Sequence, residues 1–416
     1  MKKKQVLFLL SSAMIFVVGL GAESLARRTL TEWIGDRLVQ AALSAIEKSN
    51  GRMAADLARI AAIPSPSGRE QQRAEAVAGM MREIGLSDVR VDEMPNATGR
   101  IPGRSGRSLV FISTLDDLKT VAQHQSRAGG PPRLDGERVV GPGVNTSATT
   151  ISMLAAAQAF IKSGIKPEHS LVFAAVAQEE TGLKGMKKIY ADYRDKALGF
   201  VDILGDGRSI SYGAIGIHWW KVMALGPPGH SLGGGLPNVN QGIGRAVDRI
   251  LSLHIAAKAA ARRTVVNVGI IQSGAVFNHK PEKGWFSLDI RSLDMPVIAE
   301  LESAVREILD GVAAETGITF QMEPFQLTPG GQIPDAVNSP LVQTAVAISR
   351  YLGYQPRIGN DGSSNMNIAI AGGTPAIGLG GSRGGKRGFP DEWADIPAMV
   401  RSAKHVFLLA VIMGDN

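Results

Sequence analysis

Residues 171–185 read LVFAAVAQEETGLKG, and the fold class turns on this stretch. Residues 171–177 are an unbroken apolar run of strand length, the pattern of a central parallel strand buried on both faces. Glu179 and Glu180 follow at its carboxyl end, where open α/β sheets bind their ligands. Two adjacent carboxylates in a partly closed cleft repel, so one keeps a proton or both take a cation. The pair therefore reads as a general base beside a metal ligand. The plainer alternative is two solvated glutamates in a strand-to-helix loop.

Working outward, the same pattern recurs on both sides. Residues 108–113, SLVFIS, form a second apolar strand that ends in Thr114-Leu115-Asp116-Asp117. Residues 199–204, GFVDIL, form a third that carries Asp202, with Asp206 in the turn beyond it. Alanine-rich residues 151–163 and residues up to about 193 read as the intervening helices. Strands alternating with helices, with carboxylates at the strand ends, predict an α/β fold with a doubly wound, mostly parallel sheet. Upstream, Leu30, Ile34, Leu38, Ala42 and Ile46 stand at helical spacing and predict a helix over 27–63. Ser67 is expected to cap a helix running to about 84, and residues 88–93 read as a strand. Asp135-Gly136 marks a hairpin-like turn.

The pattern changes near Gly213. Residues 218–225, HWWKVMAL, alternate like an antiparallel strand. A helix over 241–260, strands over 264–271 and 284–290, and a helix over 297–316 follow. That order predicts a smaller α+β domain, residues 214–322, inserted between two parts of the larger domain, 27–213 and 323–416. The return holds a helix over 339–352, the loop GNDGSSNMN, the strand TPAIGLG and a terminal helix to about residue 413.

At 416 residues the chain is long enough for two cores. Its 44% apolar content, 5% aromatics and 49 glycines describe a globular protein with many tight loops. The absence of cysteine excludes disulfides, thiol catalysis and cysteine-ligated zinc. Lys2-Lys3-Lys4, an apolar run over 6–20 and Ser24-Leu25-Ala26 read as a secretory leader, residues 1–26, with a cleavage site. An exported protein, periplasmic or extracellular, is the expectation; an uncleaved anchor would tie it to the membrane instead. Loss of the leader removes three lysines and Glu23, taking the net charge from +7 to +5. No basic-aromatic patch of the kind nucleic acids require is present.

Eight segments in order, SLVFISTLDD, VVGPGVNTSATT, VAQEETGLKGM, GFVDILGDG, LGPPGHS, FNHKPEKGWFSLDIRS, DGSSNMNIA and GTPAIGLGG with FPDEW, carry a resemblance across roughly residues 50–410. The chain resembles the zinc exopeptidases and amidohydrolases typified by aminoacylase, acetylornithine deacetylase, succinyl-diaminopimelate desuccinylase, carboxypeptidase G and peptidase T. The resemblance implies hydrolysis of an amide bond in a small peptide or N-acyl amino acid by two zinc ions that share a bridging aspartate and a water. It also implies that the small domain is a dimerisation lid, hence a homodimer. Zinc makes such chemistry feasible near neutral pH by acidifying water and polarising the carbonyl.

Position by position, the resemblance assigns the general base to Glu179 and a zinc ligand to Glu180. It gives the acidic ligand on the next strand to Asp202, with Asp206 as the alternate register. Asp116 is the residue expected to orient the first histidine. His230 matches a histidine that reaches across the dimer to the substrate carbonyl, or else orders its own glycine loop. Asn278 and Arg291 match substrate-binding positions; Arg291 could equally pair with Asp289 or Asp294. Three ligand positions depart from the pattern: Thr114 for the first histidine, Asn145 for the bridging aspartate and Gly388 for the last histidine. Neutral asparagine, threonine and glycine are poor or impossible zinc ligands, so zinc is expected to be absent or weakly held. His124 lies eight residues beyond Asp116 and His169 starts a strand at its far end from the cleft; neither is expected to be a ligand. Trp219-Trp220 read as core or dimer contacts, or as a stacking surface. The basic loop GGSRGGKRG reads as a plain loop or an anion cradle. Two functions follow: an amide hydrolase of weak or lost activity, or a non-catalytic binder of a small carboxylate or peptide on the same scaffold.

Overall fold

The structure is a computed structural model and describes residues 28–235 and 237–415; the expected leader lies outside the described residues. An eight-stranded sheet organises the larger domain. From edge to edge its strands are Ser87–Val91, Ala97–Ile101, Ser170–Val176, Ser108–Thr114, Ala197–Ile203, Ala376–Gly380, Ser209–Ser211 and Arg357–Gly359. The four in the middle run parallel, and antiparallel pairings flank them. Ser170–Val176 and Ser108–Thr114 are buried along their whole length, as continuous apolar strands between two helical layers should be.

One helical layer holds Val144–Ser163, the terminal Ile396–Asp415 and the amino-terminal helices, in a core that includes Leu57, Phe160 and Phe407. The other holds Lys184–Tyr193 and the short Met366–Ala371, around Met186, Phe200 and Ala369. Ile396–Asp415 is long and apolar enough to cross a membrane, but here it packs as a core helix.

Several expectations need correction. The helix expected over 27–63 is three, Leu30–Ile34, Arg37–Glu47 and Asn50–Ala61. Asp36 breaks the first run by capping Leu38 N with its carboxylate at 2.8 Å. The helix expected over 241–260 stops at Leu251, with a separate turn at Ala257–Ala260, and the strand over 264–271 splits into Val265–Asn267 and Ile271–Ser273. The strand Ala97–Ile101 and the helix Met366–Ala371 had no counterpart in the expected elements. The apolar runs at 108–113 and 171–177 and the alternation of 218–225 did mark their elements.

The small domain is one antiparallel sheet backed by two helices. Its main strands lie in the order Val265–Asn267, Lys283–Ser292, Gly216–Leu225, Thr319–Thr328, so it runs to residue 328, past the expected boundary at 322. Trp220, Val222, Phe286 and Leu288 point to the helices Val239–Leu251 and Met295–Thr316. The two chain crossings between the domains lie side by side. Ala214 and Gly331 exchange backbone hydrogen bonds of 3.0 and 2.9 Å. Next to them, Gly330 passes so close to Gly216 that a Cβ would sit 2.3 Å from the Gly216 nitrogen.

Candidate functional site

The four central parallel strands end on the same side of the sheet, and each delivers part of the site at its end or just beyond it. Beyond Thr114 lies Asp116, fully buried. Its carboxylate accepts hydrogen bonds from Ser67 Oγ at 2.5 Å, Glu179 N at 2.8 Å and Glu180 N at 3.1 Å. Asp116 thus shapes the glutamate turn itself. Ser67 is committed to this contact and does not cap a helix; the helix begins at Gln71, after Glu70. Gln178 sits in the left-handed region at φ 54°, rare for a residue with a side chain. Glu70 holds it there by accepting from Gln178 N at 3.1 Å and from Gly68 N at 2.7 Å. Asp117 points the other way, into a buried ion pair with Arg73 at 2.6 Å.

Asp202, near the end of the third strand, is fully buried and accepts from Met366 N at 3.2 Å. Thr114 Oγ1 accepts from Asn365 Nδ2 at 3.1 Å, so positions 114 and 202 converge on residues 365–366. Asp206, the alternate register, belongs elsewhere: it faces Arg208, Arg401 and Tyr354 and caps Ser382 N. Asp202 is the acid of the cleft because it sits within the strand, whereas Asp206 lies in the following turn.

Positions 145 and 388 converge as well, on a residue the sequence reading had not singled out. Glu392 Oε1 accepts from Gly143 N at 2.6 Å and Asn145 N at 3.3 Å, and its Oε2 accepts from Gly388 N at 3.0 Å. Gly143 N and Asn145 N are unpaired N–H groups at the start of the helix Val144–Ser163, a natural seat for a carboxylate. The Asn145 side chain donates to Trp393 O at 3.4 Å. At Gly388 a Cβ would have room, the nearest atom being Leu118 Cδ1 at 3.9 Å, but φ is +92°. The backbone there holds a left-handed conformation that glycine favours, so a side chain at this position would be strained despite the room.

The loop beyond the fourth strand brings two guanidinium groups to the acids. Arg387 forms an ion pair with Glu180. The half-buried Arg383 lies in the field of Glu179, Glu180 and Asp202. Burial, then the charge of Arg387, lower the Arg383 guanidinium to about 10, which leaves it charged at neutral pH. Burial, then the charges of Glu180, Asp116 and Asp202, push Glu179 up to about 8, with Arg387 working against them. Burial also lifts Asp116 and Asp202 to about 6 each. Burial and like charge thus favour the protonated form of Glu179, in which its carboxyl can donate a hydrogen bond. The basic loop had been read as plain loop or anion cradle; its position beside the end of the strand Ala376–Gly380 was the signal that it serves this cleft.

The residues present do not fit a two-zinc centre. Glu180 is taken up by Arg387, the Thr114 hydroxyl by Asn365 and the Asn145 amide by Trp393, and Gly388 offers no side chain. Among the described residues, no group of three or more His, Cys, Asp or Glu is placed to hold a metal. His169 Nδ1 lies 2.6 Å from Ser105 Oγ, at the start of its strand, opposite the cleft. His230 and Asn278 do meet, Nε2 to Nδ2 at 3.1 Å, but on an exposed ribbon of the small domain, outside the cleft lining of this chain. Arg291 forms a bidentate pair with Asp289, with contacts of 2.9 to 3.1 Å.

Around the acids opens a cleft of about 920 Å³ between the two domains. The larger domain lines it with Ser67, Arg69, Lys119, Glu179, Ser364 and Arg387; the small domain contributes Ile217, Trp219, Gln326 and Thr328. Arg69 and Lys119 have no ion-pair partner among the described residues. The arrangement offers hydroxyls, a protonated carboxyl and cations to an amide or a carboxylate.

Comparison with known proteins gives a consistent picture. A family model described as peptidase family M20/M25/M40 matches residues 120–411. Carboxypeptidase G2 of Pseudomonas sp. (strain RS-16) is 26% identical over 322 residues, 74% of this chain and 74% of that protein. The fold is similar to that of the aminopeptidase PepT from Bacillus cereus ATCC 10987, with a TM-score of 0.72 and 17% identity over 87% of this chain and 98% of that one. It is also similar to the Bacillus subtilis YXEP protein, a dinuclear metal-binding peptidase, with a TM-score of 0.66 and 16% identity over 88% of this chain and 99% of that one.

Proposed function

The chain belongs to peptidase family M20/M25/M40, whose members include dinuclear metal-binding peptidases, and on that premise we propose that its cleft binds a small peptide or N-acyl amino acid without zinc-dependent hydrolysis. The observation that carries the reading is the ion pair of Arg387 with Glu180, at the position where the family resemblance places a zinc ligand. A carboxylate neutralised by a guanidinium has little left to offer a divalent cation. Glu179, holding its proton, donates to a ligand carbonyl, and Arg69 and Lys119 attract a ligand carboxylate. The reading includes export, from the expected leader, and a homodimer through the small domain.

Titration calorimetry with a panel of dipeptides and N-acyl amino acids, in chelator and then in added zinc, tests this. The expected result is binding in chelator with no turnover in either condition. Stoichiometric tight zinc together with turnover that Glu179→Gln abolishes would show a working hydrolase and overturn the proposal.

A further inference from the structure

The small sheet has helices on one face only, and its other face is not the polar surface expected of a solvated antiparallel sheet. On the strand Gly216–Leu225, Trp220, Val222 and Ala224 point to the helices, which leaves Trp219, Lys221 and Met223 on the opposite face. On Lys283–Ser292 the same alternation puts Trp285, Ser287 and Asp289 there, with Trp285 opposite Met223 and Asp289 opposite Trp219. The third strand adds an aromatic by an irregularity. Its register against Gly216–Leu225 shifts between Pro324 and Gln326, and Phe325 is the unpaired extra residue. Bulges of this kind re-aim a side chain next to functional sites. Phe325 is 74% exposed and its ring centroid lies 6.5 Å from that of Trp219.

Between Trp219, Trp285, Phe325 and Ile270 lies a trough of about 500 Å³, within the size range of small-molecule sites. Trp219 lines both this trough and the interdomain cleft, so the two adjoin at one side chain. Cations edge the trough: Lys221 Nζ lies 5.0 Å from the Trp285 ring centroid and the Arg291 guanidinium 5.8 Å from that of Trp219.

We propose that this trough is a binding subsite for an aromatic or long apolar acyl group, whose amide and carboxylate end lies in the cleft beyond Trp219. The ligand class narrows accordingly, from any small peptide or N-acyl amino acid to one whose acyl group is aromatic or long and apolar. This rests on the cleft reading above, and the probes are chosen so that the two can fail separately. A second copy of the chain on this face is the rival occupant. The concave shape of the trough and the Trp219 side chain it shares with the cleft favour a small ligand.

Binding of N-acetylglycine, N-(2-naphthoyl)glycine and 2-naphthoate is measured by calorimetry on the full chain and on Phe325→Ala. Phe325 is exposed, so the variant should fold; Trp285→Leu is the second variant. Naphthoylglycine should bind at least ~10-fold more tightly than acetylglycine, the value of roughly 1.4 kcal/mol that burying an aromatic ring readily supplies. Phe325→Ala should erase that advantage and leave acetylglycine within about two-fold. If 2-naphthoate binds through Phe325 while acetylglycine does not bind, the trough stands and the cleft reading falls. Equal affinity for the naphthoyl and acetyl probes, or no binding of either naphthyl compound, overturns the trough. So does a variant that binds as the parent does but sediments as a monomer where the parent is a dimer.

Discussion

Two walls of one cleft differ in what holds them. The wall made of strand ends carries Asp116, Glu179, Glu180 and Asp202, where the family resemblance places the machinery. It is braced by the interior: Asp116 grips two backbone N–H groups and Ser67, and neighbouring Asp117 is neutralised by buried Arg73. The facing wall, from the loop past Gly380 and the start of the helix Val144–Ser163, carries the neutral residues Asn145 and Gly388 and supplies Arg383 and Arg387. The difference shows where the countercharge has gone. Four acids crowded at a sheet end need positive charge from some source. Here two arginines of the chain itself lie within their field.

The braced wall is the costlier to break. Arg73 and Asp117 are each 1% exposed, and Arg73 also donates to Leu115 O at 2.9 Å and to Ile63 O. Arg73→Met leaves Asp117 buried without a cation and should cost about 3–5 kcal/mol of stability. Urea unfolding of parent and variant measures it. A loss below ~1 kcal/mol would mean that this wall is no more rigid than the loop opposite, since breaking an exposed pair costs no more than that.

Glu179→Gln acts within the same wall but with the opposite sign. The Glu179 carboxyl is pushed up to about 8 from an ordinary value of 4.5. Between these values the folded protein holds a proton that the unfolded chain has released, so stability falls as pH rises through the window. Asp116 and Asp202, lifted to about 6, add a slope of the same sign at lower pH; Arg383 and Arg387 are the cations that limit it. Replacing Glu179 with a neutral isostere should change little at pH 5 and stabilise by roughly 1–3 kcal/mol at pH 8. Thermal unfolding at the two pH values reads the difference. An equal effect at both would mean that burial and the neighbouring acids do not push the Glu179 carboxyl up.

The two walls were also unequally legible in the sequence. Continuous apolar runs ending in acids marked three of the four central strands and placed Asp116, Glu179, Glu180 and Asp202 at one sheet end. Burial writes itself into local pattern, and so these strands could be read. Asp202 against Asp206 could not be decided that way, because a shift of four residues at a strand end leaves the pattern intact. The arginine wall was hidden for a different reason. Arg387 meets Glu180 across 207 residues, and nothing within GGSRGGKRG says which acids it faces. Glu392 was missed similarly: it looks like one more acid of FPDEW until the helix start at Gly143–Asn145 is brought against it. The three neutral positions stand out in the sequence as departures, but that position 388 needs a backbone conformation glycine favours is visible only in its φ of +92°.

The smallest stability effect is expected from the residue that matters most to the comparison. The side chains of Arg387 and Glu180 are 38% and 21% exposed, so their ion pair should contribute under about 1 kcal/mol. Arg387→Gln should therefore fold and unfold almost as the parent does. What changes is the charge facing Glu180 and Asp202: one guanidinium fewer leaves two carboxylates with only Arg383 to balance them. Zinc or manganese affinity, by calorimetry on chelator-treated protein, should then rise by roughly ten-fold while staying weak, because a cation that relieves repulsion gains even without a full ligand set. An unchanged metal affinity would locate the loss of metal in the neutral side chains at 114 and 145 and the bare backbone at 388. The arginines would then be late additions to a site already emptied. A ten-fold rise would make the guanidinium an active competitor for the place of the ion.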